Sequence, residues 1–251
     1  MKEIEDFWDE FAEEYNEIQE ESELTLSSDV TNYFEKRNVF PANALLDLAG
    51  GSGRYLLDFS SNVKNYTLVD ISEKMLEKAE QLAESHQRKN CQFLHKEMSD
   101  FFNETNDNAY EYVFSAMNPA IQSVANLLEL NRISEKGVFI FRMTEETDSL
   151  FSVIDARLGI DHQQEELSWL FTYQEWLAEL KFVTETKSFY YQYEEAFSRA
   201  FLETYYEEFI EETQFRTLLS ELFSDNSTVT SKTTICFTLL YWKKKDTVSQ
   251  L

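Results

Sequence analysis

Only five glycines occur in the chain, and three of them, Gly50, Gly51 and Gly53, fall within four consecutive positions. Glycines so grouped give a turn access to φ > 0 and let backbone approach a ligand more closely than a Cβ would allow. About twenty residues later, Val69-Asp70 supplies a carboxylate able to accept hydrogen bonds from both hydroxyls of a ribose. The ordered pair points to an adenosine-type ligand. A P-loop is excluded because no Lys-Ser or Lys-Thr follows the glycines. A dinucleotide turn is disfavoured because Leu56 stands where GxGxxG needs its third glycine. The alternative for the glycines is a tight turn with no ligand.

A turn of this kind has to hang between a strand and a helix. Leu45 to Ala49 reads as a short apolar strand that runs into Gly50-Gly51-Ser52-Gly53-Arg54 and then a helical segment. The alternation repeats, with strands over Tyr66–Ile71, Cys91–His95, Tyr112–Ala116 and Val138–Arg142 and a helix over Glu73–Glu84. Strands separated by helices imply a doubly wound, mostly parallel α/β sheet. Ahead of it, Ile4, Phe7, Trp8, Phe11 and Tyr15 recur at spacings of three and four, an amphipathic helix from Ile4 to Leu24. A second helix is predicted over Asp29–Arg37, capped by Ser27 or Ser28. The last third predicts a helix over Thr172–Leu180, a β-rich run from Phe182 to Tyr193, a helical segment from Glu194 to Phe223 and a final strand from Thr228 to Trp242. In the helical segment, Phe197, Phe201, Phe209, Leu218, Leu219 and Leu222 form a face that must pack on something.

Asp47-Leu48-Ala49-Gly50-Gly51-Ser52-Gly53 resembles the first motif of class I S-adenosylmethionine-dependent methyltransferases, an acid followed by a glycine-rich turn. Ala49 replaces the family's first glycine, which is acceptable only if its φ stays negative. Leu68-Val69-Asp70-Ile71-Ser72-x-x-Met75 is similar to the second motif, in which the acid holds the ribose and the next residue packs on adenine. His95-Lys96-Glu97-Met98-Ser99 resembles the third, with Glu97 for the commoner Asp facing the adenine edge. Ala116-Met117-Asn118-Pro119 then falls where the family places the methyl-transfer site. Phe7-Trp8-Asp9-x-x-Ala12-x-x-Tyr15 resembles the family's lid helix, with Tyr15 near the methionine moiety.

The resemblance implies a Rossmann-like methyltransferase fold as a single domain over 1–251, with lid helices at about 1–40 and a helical insertion at about 194–224. It implies S-adenosylmethionine as cofactor, held by Tyr15, Asp47, Ala49, Gly50, Gly51, Ser52, Gly53, Asp70, Ile71, Ser72, Met75, Glu97, Met98, Ser99, Ala116 and Met117. Methyl transfer from a sulfonium is an in-line displacement that needs alignment more than a dedicated base. Asn118 is the candidate for orienting the acceptor. The acceptor is expected to be a small molecule, with a basic protein, or a regulatory role without catalysis, as alternatives.

Nucleobase amine methylation is disfavoured, since Ala120 and Ile121 follow Asn118-Pro119 where that chemistry uses a second proline and an aromatic. A net charge of -25 opposes nucleic acid and anionic membranes as partners. Two cysteines, Cys91 and Cys236, are too few for a disulfide framework and fit a reducing cytoplasm. The N-terminus is acidic where a signal peptide would be basic, and no apolar run approaches the ~20 residues of a membrane span. His86, His95 and His162 lack metal-ligand spacing, so no metal is expected. His162, Arg142, Trp169, Phe171, Tyr190 and Tyr191 are further candidates for lining a substrate pocket. Oligomeric state is not legible.

Overall fold

The computed structural model describes residues 2–160, 165–209, 213–224 and 226–244. At its centre lies strand β1 (Ala42–Leu48), which pairs in parallel with β2 (Val63–Asp70) on one side and β4 (Tyr110–Ala116) on the other. Strand β3 (Cys91–His95) adds to β2 and β5 (Ser134–Asp148) adds to β4, both in parallel. With β6 (Thr184–Ser198) and β7 (Thr228–Lys243) the seven strands take the order β3-β2-β1-β4-β5-β7-β6. Leu45 and Leu46 point to opposite faces of β1 and both are fully buried, as a strand covered on two sides requires.

The last strands run against the others. Ser149 N donates to Lys232 O, and Lys244 N donates to Lys136 O, so residue numbers rise on one strand as they fall on its neighbour. Gln192 with Thr234 and Ser188 with Thr238 give β6 and β7 the same opposed sense. The two β-rich runs of the last third thus form the sheet's antiparallel edge. Strand β5 is far longer than the Val138–Arg142 read from sequence, because Glu145, Glu146 and Asp148 hide its continuation. Pairing overrides the propensity of those acids: the Thr144 hydroxyl bonds Cys236 O and lies 2.9 Å from that of Thr238.

The chain clusters into two compact units. The first comprises 1–142, 171–187 and 239–251, and the second comprises 143–170 and 188–238. Strands β5, β6 and β7 each begin in one and end in the other. In the first unit, α2 (Leu26–Lys36) drives Phe34 into an aromatic cluster with Phe59 at 5.6 Å and Phe139 at 4.4 Å. The N-cap position of α2 is Thr25 rather than Ser27 or Ser28, which lie inside its first turn. The Thr25 hydroxyl donates to Asp29 and the Ser28 hydroxyl bonds back to Thr25 O. Helix α4 (Glu73–Ser85) is capped by Ser72, whose Oγ accepts from Met75 N, and it buries Met75, Leu76, Ala79 and Ala83 along one stripe. Helix α1 (Lys2–Glu21) covers the predicted amphipathic segment as far as Glu21, short of the expected end at Leu24.

The second unit has its own core of Leu150, Ile154, Leu202, Tyr206, Phe215, Leu218, Leu219 and Phe223, with Phe197, Phe209 and Leu222 packed on it. The sequence reading puts a helical insertion at about 194–224; here 194–198 still belong to β6, and the helices are α9 (Arg199–Tyr205) and α10 (Thr213–Phe223). A further helix, α7 (Phe151–Leu158), joins them and ends on Gly159 at φ +71, a left-handed C-cap. Phe201, expected on the packed face, is exposed.

Candidate active site

Chain direction across the sheet reverses between β1 and β4, because β1 leads to β2 and β3 on one side while β4 leads to β5 on the other. Such a switch point leaves a crevice beyond the carboxyl ends of the strands. A cavity of about 330 Å³ occupies it, within the range of small-ligand sites.

The turn after β1 forms one wall. Ala49 sits at φ +58, Gly51 at φ +56 and Gly53 at φ +89. The requirement that Ala49 keep a negative φ is therefore overturned: its N–H is drawn to Val69 O at 2.8 Å, which fixes the left-handed turn despite the Cβ. That conformation costs an L-residue about 1–2 kcal/mol. Each glycine then has a different reason. A Cβ at Gly50 would lie 2.6 Å from Leu68 Cγ, and one at Gly53 3.2 Å from Leu56. At Gly51 the nearest atoms would be Tyr15 Cε1 at 3.7 Å and Met75 Sδ at 4.0 Å, so the missing side chain opens onto the cavity.

Asp70 pins this turn. Its Oδ2 accepts from Gly51 N at 2.8 Å and its Oδ1 from Ser72 N at 2.9 Å. Each carboxylate oxygen has a second lone pair, so the group retains capacity for hydroxyl donors while it faces the cavity. Burial raises its pKa above the ordinary 3.8, and the backbone amides of Ser72, Gly51 and Ile71 work against that rise. Asp47 lies deeper and does not reach the cavity. It is fully buried, accepts from the Tyr66 hydroxyl at 2.5 Å and leaves Oδ1 without a hydrogen-bond partner among the described residues. Burial pushes its carboxyl up to about 7; the Tyr66 bond opposes the rise and the charge of Asp70 adds to it.

Of the other residues read as cofactor-binding, Tyr15, Ala49, Ile71, Met75, Glu97, Met98, Ser99, Ala116 and Met117 line the cavity together with Gly51 and Asp70. Gly50, Ser52, Gly53 and Ser72 do not. Ser52 is buried with its hydroxyl 3.4 Å from Gln19 Oε1, and Ser72 serves as the α4 cap. Glu97 stands at the N-cap of α5 (Met98–Glu104), a helix the sequence reading did not place.

Asn118 lines the cavity, yet its carboxamide is committed locally. Its Nδ2 donates to Ser115 Oγ at 3.1 Å and its Oδ1 accepts from Ala120 N at 2.9 Å, an Asx turn that shapes the backbone past β4. Ser115 in turn donates to Leu48 O at 2.8 Å, tying the ends of β4 and β1 together. Met117, at φ +50, is a second left-handed residue on the cavity wall, and its N–H bonds Phe141 O at 2.8 Å.

Helix α1 carries two stripes. Ile4, Trp8 and Tyr15 line the cavity, while Glu5, Asp9 and Glu13, four residues apart, bind residues outside its lining. Asp9 Oδ1 accepts from the Ser72 hydroxyl at 2.6 Å and from Lys74 N at 3.2 Å; Glu13 meets Lys78 at 2.5 Å and Glu5 meets His95 Nε2 at 3.2 Å. Sequence reasoning assigned no cavity role to Ile4, Leu48, Val69, Lys96, Ala120 or Asn126. The helical spacing of Ile4 with Trp8 was the available signal for the first; Asn126, on α6 (Val124–Ile133), had none. Arg142, Trp169, Phe171, Tyr190 and Tyr191 are not among the lining residues. Arg142 is buried, donating to Asn118 O at 2.9 Å, and Phe171 and Tyr190 are exposed. His162 lies outside the described residues.

Among the described residues, no group of three or more His, Cys, Asp or Glu could hold a metal ion, and no helix is long and apolar enough to cross a membrane. The family model for a methyltransferase domain matches residues 40–196. No curated protein matches the sequence. Among solved structures, magnesium protoporphyrin IX methyltransferase from Synechocystis PCC 6803 with bound S-adenosylhomocysteine superposes with a TM-score of 0.58 at 12% identity, over 97% of this chain and 99% of that one. The same enzyme with bound S-adenosylmethionine gives 0.56 at 11% identity, over 97% and 96%. A protein of unstated role from Bacillus subtilis, YcgJ, gives 0.51 at 11% identity, over 86% and 98%.

Proposed function

The chain belongs to the class I S-adenosylmethionine-dependent methyltransferases, and from that premise we propose that it transfers the methyl group to a small-molecule acceptor at the cavity beyond β1 and β4. The observation that carries this reading is Gly51: its absent Cβ opens onto the cavity while its amide is held by Asp70, the carboxylate that we assign to the ribose. The residues present fit the cofactor. Asp70 would receive the ribose hydroxyls, Ile71, Glu97, Met98 and Ser99 the adenine, and Tyr15, Ala49 and Gly51 the methionine portion.

The bound cofactor supplies an activated methyl whose leaving group needs no acid. What remains for the chain is to align an acceptor and keep water out. Ala116, Met117 and Pro119 give the far end of the cavity an apolar wall, and Trp8 covers it from α1. Ala116, Met117 and Pro119 carry no titratable group, which favours an acceptor that needs no strong base. Asn118 acts through backbone shape, because both ends of its carboxamide are bonded within the protein.

A small acceptor is supported by the cavity volume and by a net charge of -25, which repels polyanions. A methyltransferase among the structural neighbours is named for a porphyrin substrate, itself a small molecule. The acidic surface favours, as a second reading, a basic protein acceptor. Two free cysteines support a cytoplasmic location, and we read the whole chain as one methyltransferase domain that carries the second unit as an insertion.

Calorimetric titration with S-adenosylmethionine, S-adenosylhomocysteine and NAD tests the site. Binding of the first two alone is expected, with Asp70→Ala weakening it about 10- to 150-fold, the equivalent of ~1.5–3 kcal/mol for hydrogen bonds to a charged group. Equal affinity in a folded Asp70→Ala protein would refute the placement of the ribose.

A further inference from the structure

A second pocket, of about 420 Å³, opens near the other end of β4. It is lined by Tyr112, four residues before the Ala116 of the cofactor cavity and so about 13 Å away along the strand, and the two cavities share no lining residue. Tyr112 and Phe139 are buried at its base, and the half-buried rings of Tyr33 and Tyr241 rise beside them. Tyr241 lies flat on Phe139, with ring centroids 4.4 Å apart and an interplanar angle of 13°. That stacking depends on Gly137, where a Cβ would come within 2.8 Å of the Tyr241 ring.

The rim carries Lys36, Arg37 and Lys243, and no acidic residue lines the pocket. Arg37 stands 5.9 Å over the Tyr33 ring and is paired with Glu185. The side chains of Lys36 and Lys243 make no hydrogen bond or ion pair with the described residues. In a chain with 47 acidic and 22 basic residues, a lining with three cations and no acid runs against the general surface charge, with Glu185 standing beside it on Arg37. The surrounding field repels anions, so an anion held here must be held by local contacts. Burial raises the pKa of Tyr241 to about 12, with Tyr112 and the charge of Glu185 adding to it, and burial raises that of Tyr112, so both phenols stay protonated at neutral pH.

We propose that this pocket is a second ligand site, for a small aromatic anion: a carboxylate or phosphate ester whose ring rests on the tyrosine walls and whose charge meets Lys36, Arg37 and Lys243. Flat aromatic surface and guanidinium or ammonium groups at one mouth are complementary to those two parts of one molecule. Neither a neutral aromatic nor a bare anion satisfies both.

The test is calorimetric titration of the whole protein with 2-naphthoate, 2-naphthyl phosphate, neutral 2-naphthamide, cyclohexanecarboxylate and inorganic phosphate. One of the two aromatic anions is expected to bind at one site per chain, with the amide, the cyclohexane acid and inorganic phosphate each at least tenfold weaker; which one binds separates carboxylate from phosphate ester. Lys36→Gln with Lys243→Gln should weaken that binding at least tenfold, and Lys36→Arg with Lys243→Arg should restore it. Both lysines are exposed, so thermal unfolding and affinity for S-adenosylhomocysteine should not change. The proposal is overturned if neither aromatic anion binds, if the neutral or non-aromatic probes bind as tightly, or if the double glutamine variant retains full affinity.

Discussion

Gly51→Ala and Gly50→Ala differ by one position along the turn and should fail in opposite ways. At Gly51 an added methyl meets nothing in the protein closer than 3.7 Å, so packing does not oppose it. Its stability cost comes from φ +56, about 1–2 kcal/mol, less about 0.4–1 kcal/mol recovered from a stiffer unfolded chain. A net loss of about 1 kcal/mol lowers the Tm of a chain this size by roughly 2–4 °C. The methyl, however, occupies space inside the cavity, and overpacking of that kind costs a bound ligand about 1–3 kcal/mol, or roughly 5- to 150-fold in affinity. At Gly50 the new methyl meets Leu68 Cγ at 2.6 Å and Asp47 Cγ at 3.0 Å, outside the cavity. There the same ~1–3 kcal/mol falls on stability, and cofactor affinity changes little. Thermal unfolding and calorimetry with S-adenosylhomocysteine on both variants give four numbers. Wild-type affinity in a folded Gly51→Ala protein would refute the assignment of that backbone to the cofactor.

Two further outcomes follow from groups described above. The folded Asp47 carboxyl keeps its proton up to about pH 7, whereas the unfolded chain loses it near 3.8. The unfolded state therefore binds fewer protons in that window, so this group's contribution to stability is full below about pH 4 and falls as pH rises to about 7. Asp47→Asn should thus gain stability relative to wild type between pH 4 and pH 8 in urea unfolding, and a constant difference would show that burial does not perturb this carboxyl. Asp9→Ala removes the contacts of α1 to Ser72 Oγ and Lys74 N, so amides of residues 2–21 should exchange at least several-fold faster and S-adenosylhomocysteine should dissociate faster. Unchanged exchange would mean the apolar stripe alone holds α1 in place.

The parts of the fold legible in the sequence were those with a local cause. The Cys91–His95 strand, the α4 stripe and the glycine turn each carry periodicity or composition that no distant residue has to supply. Most cavity positions were likewise reachable, because motifs at the carboxyl ends of strands converge at a switch point. What escaped was set by distant partners. The second half of β5 is held by β7 about ninety residues later, and its acids disguise it. Ala49 breaks the local φ rule because a strand twenty residues on claims its amide. Asn118 looked free to touch an acceptor because sequence cannot show that Ser115 and Ala120 occupy it.

The division of the chain bears on how it is made. The first unit is drawn from three stretches and the second from two, and the chain passes between them four times. The strand that covers the outer edge of β5 does not begin until Thr228, eighty residues after β5 ends at Asp148. At ~5–20 residues per second, a nascent chain carries that unpaired edge for roughly 4–16 s before its partner can leave the ribosome. The cofactor turn and its sheet half are synthesised early and wait, so the hazard of mispairing during synthesis lies with the strand order of the far edge and not with the cofactor site.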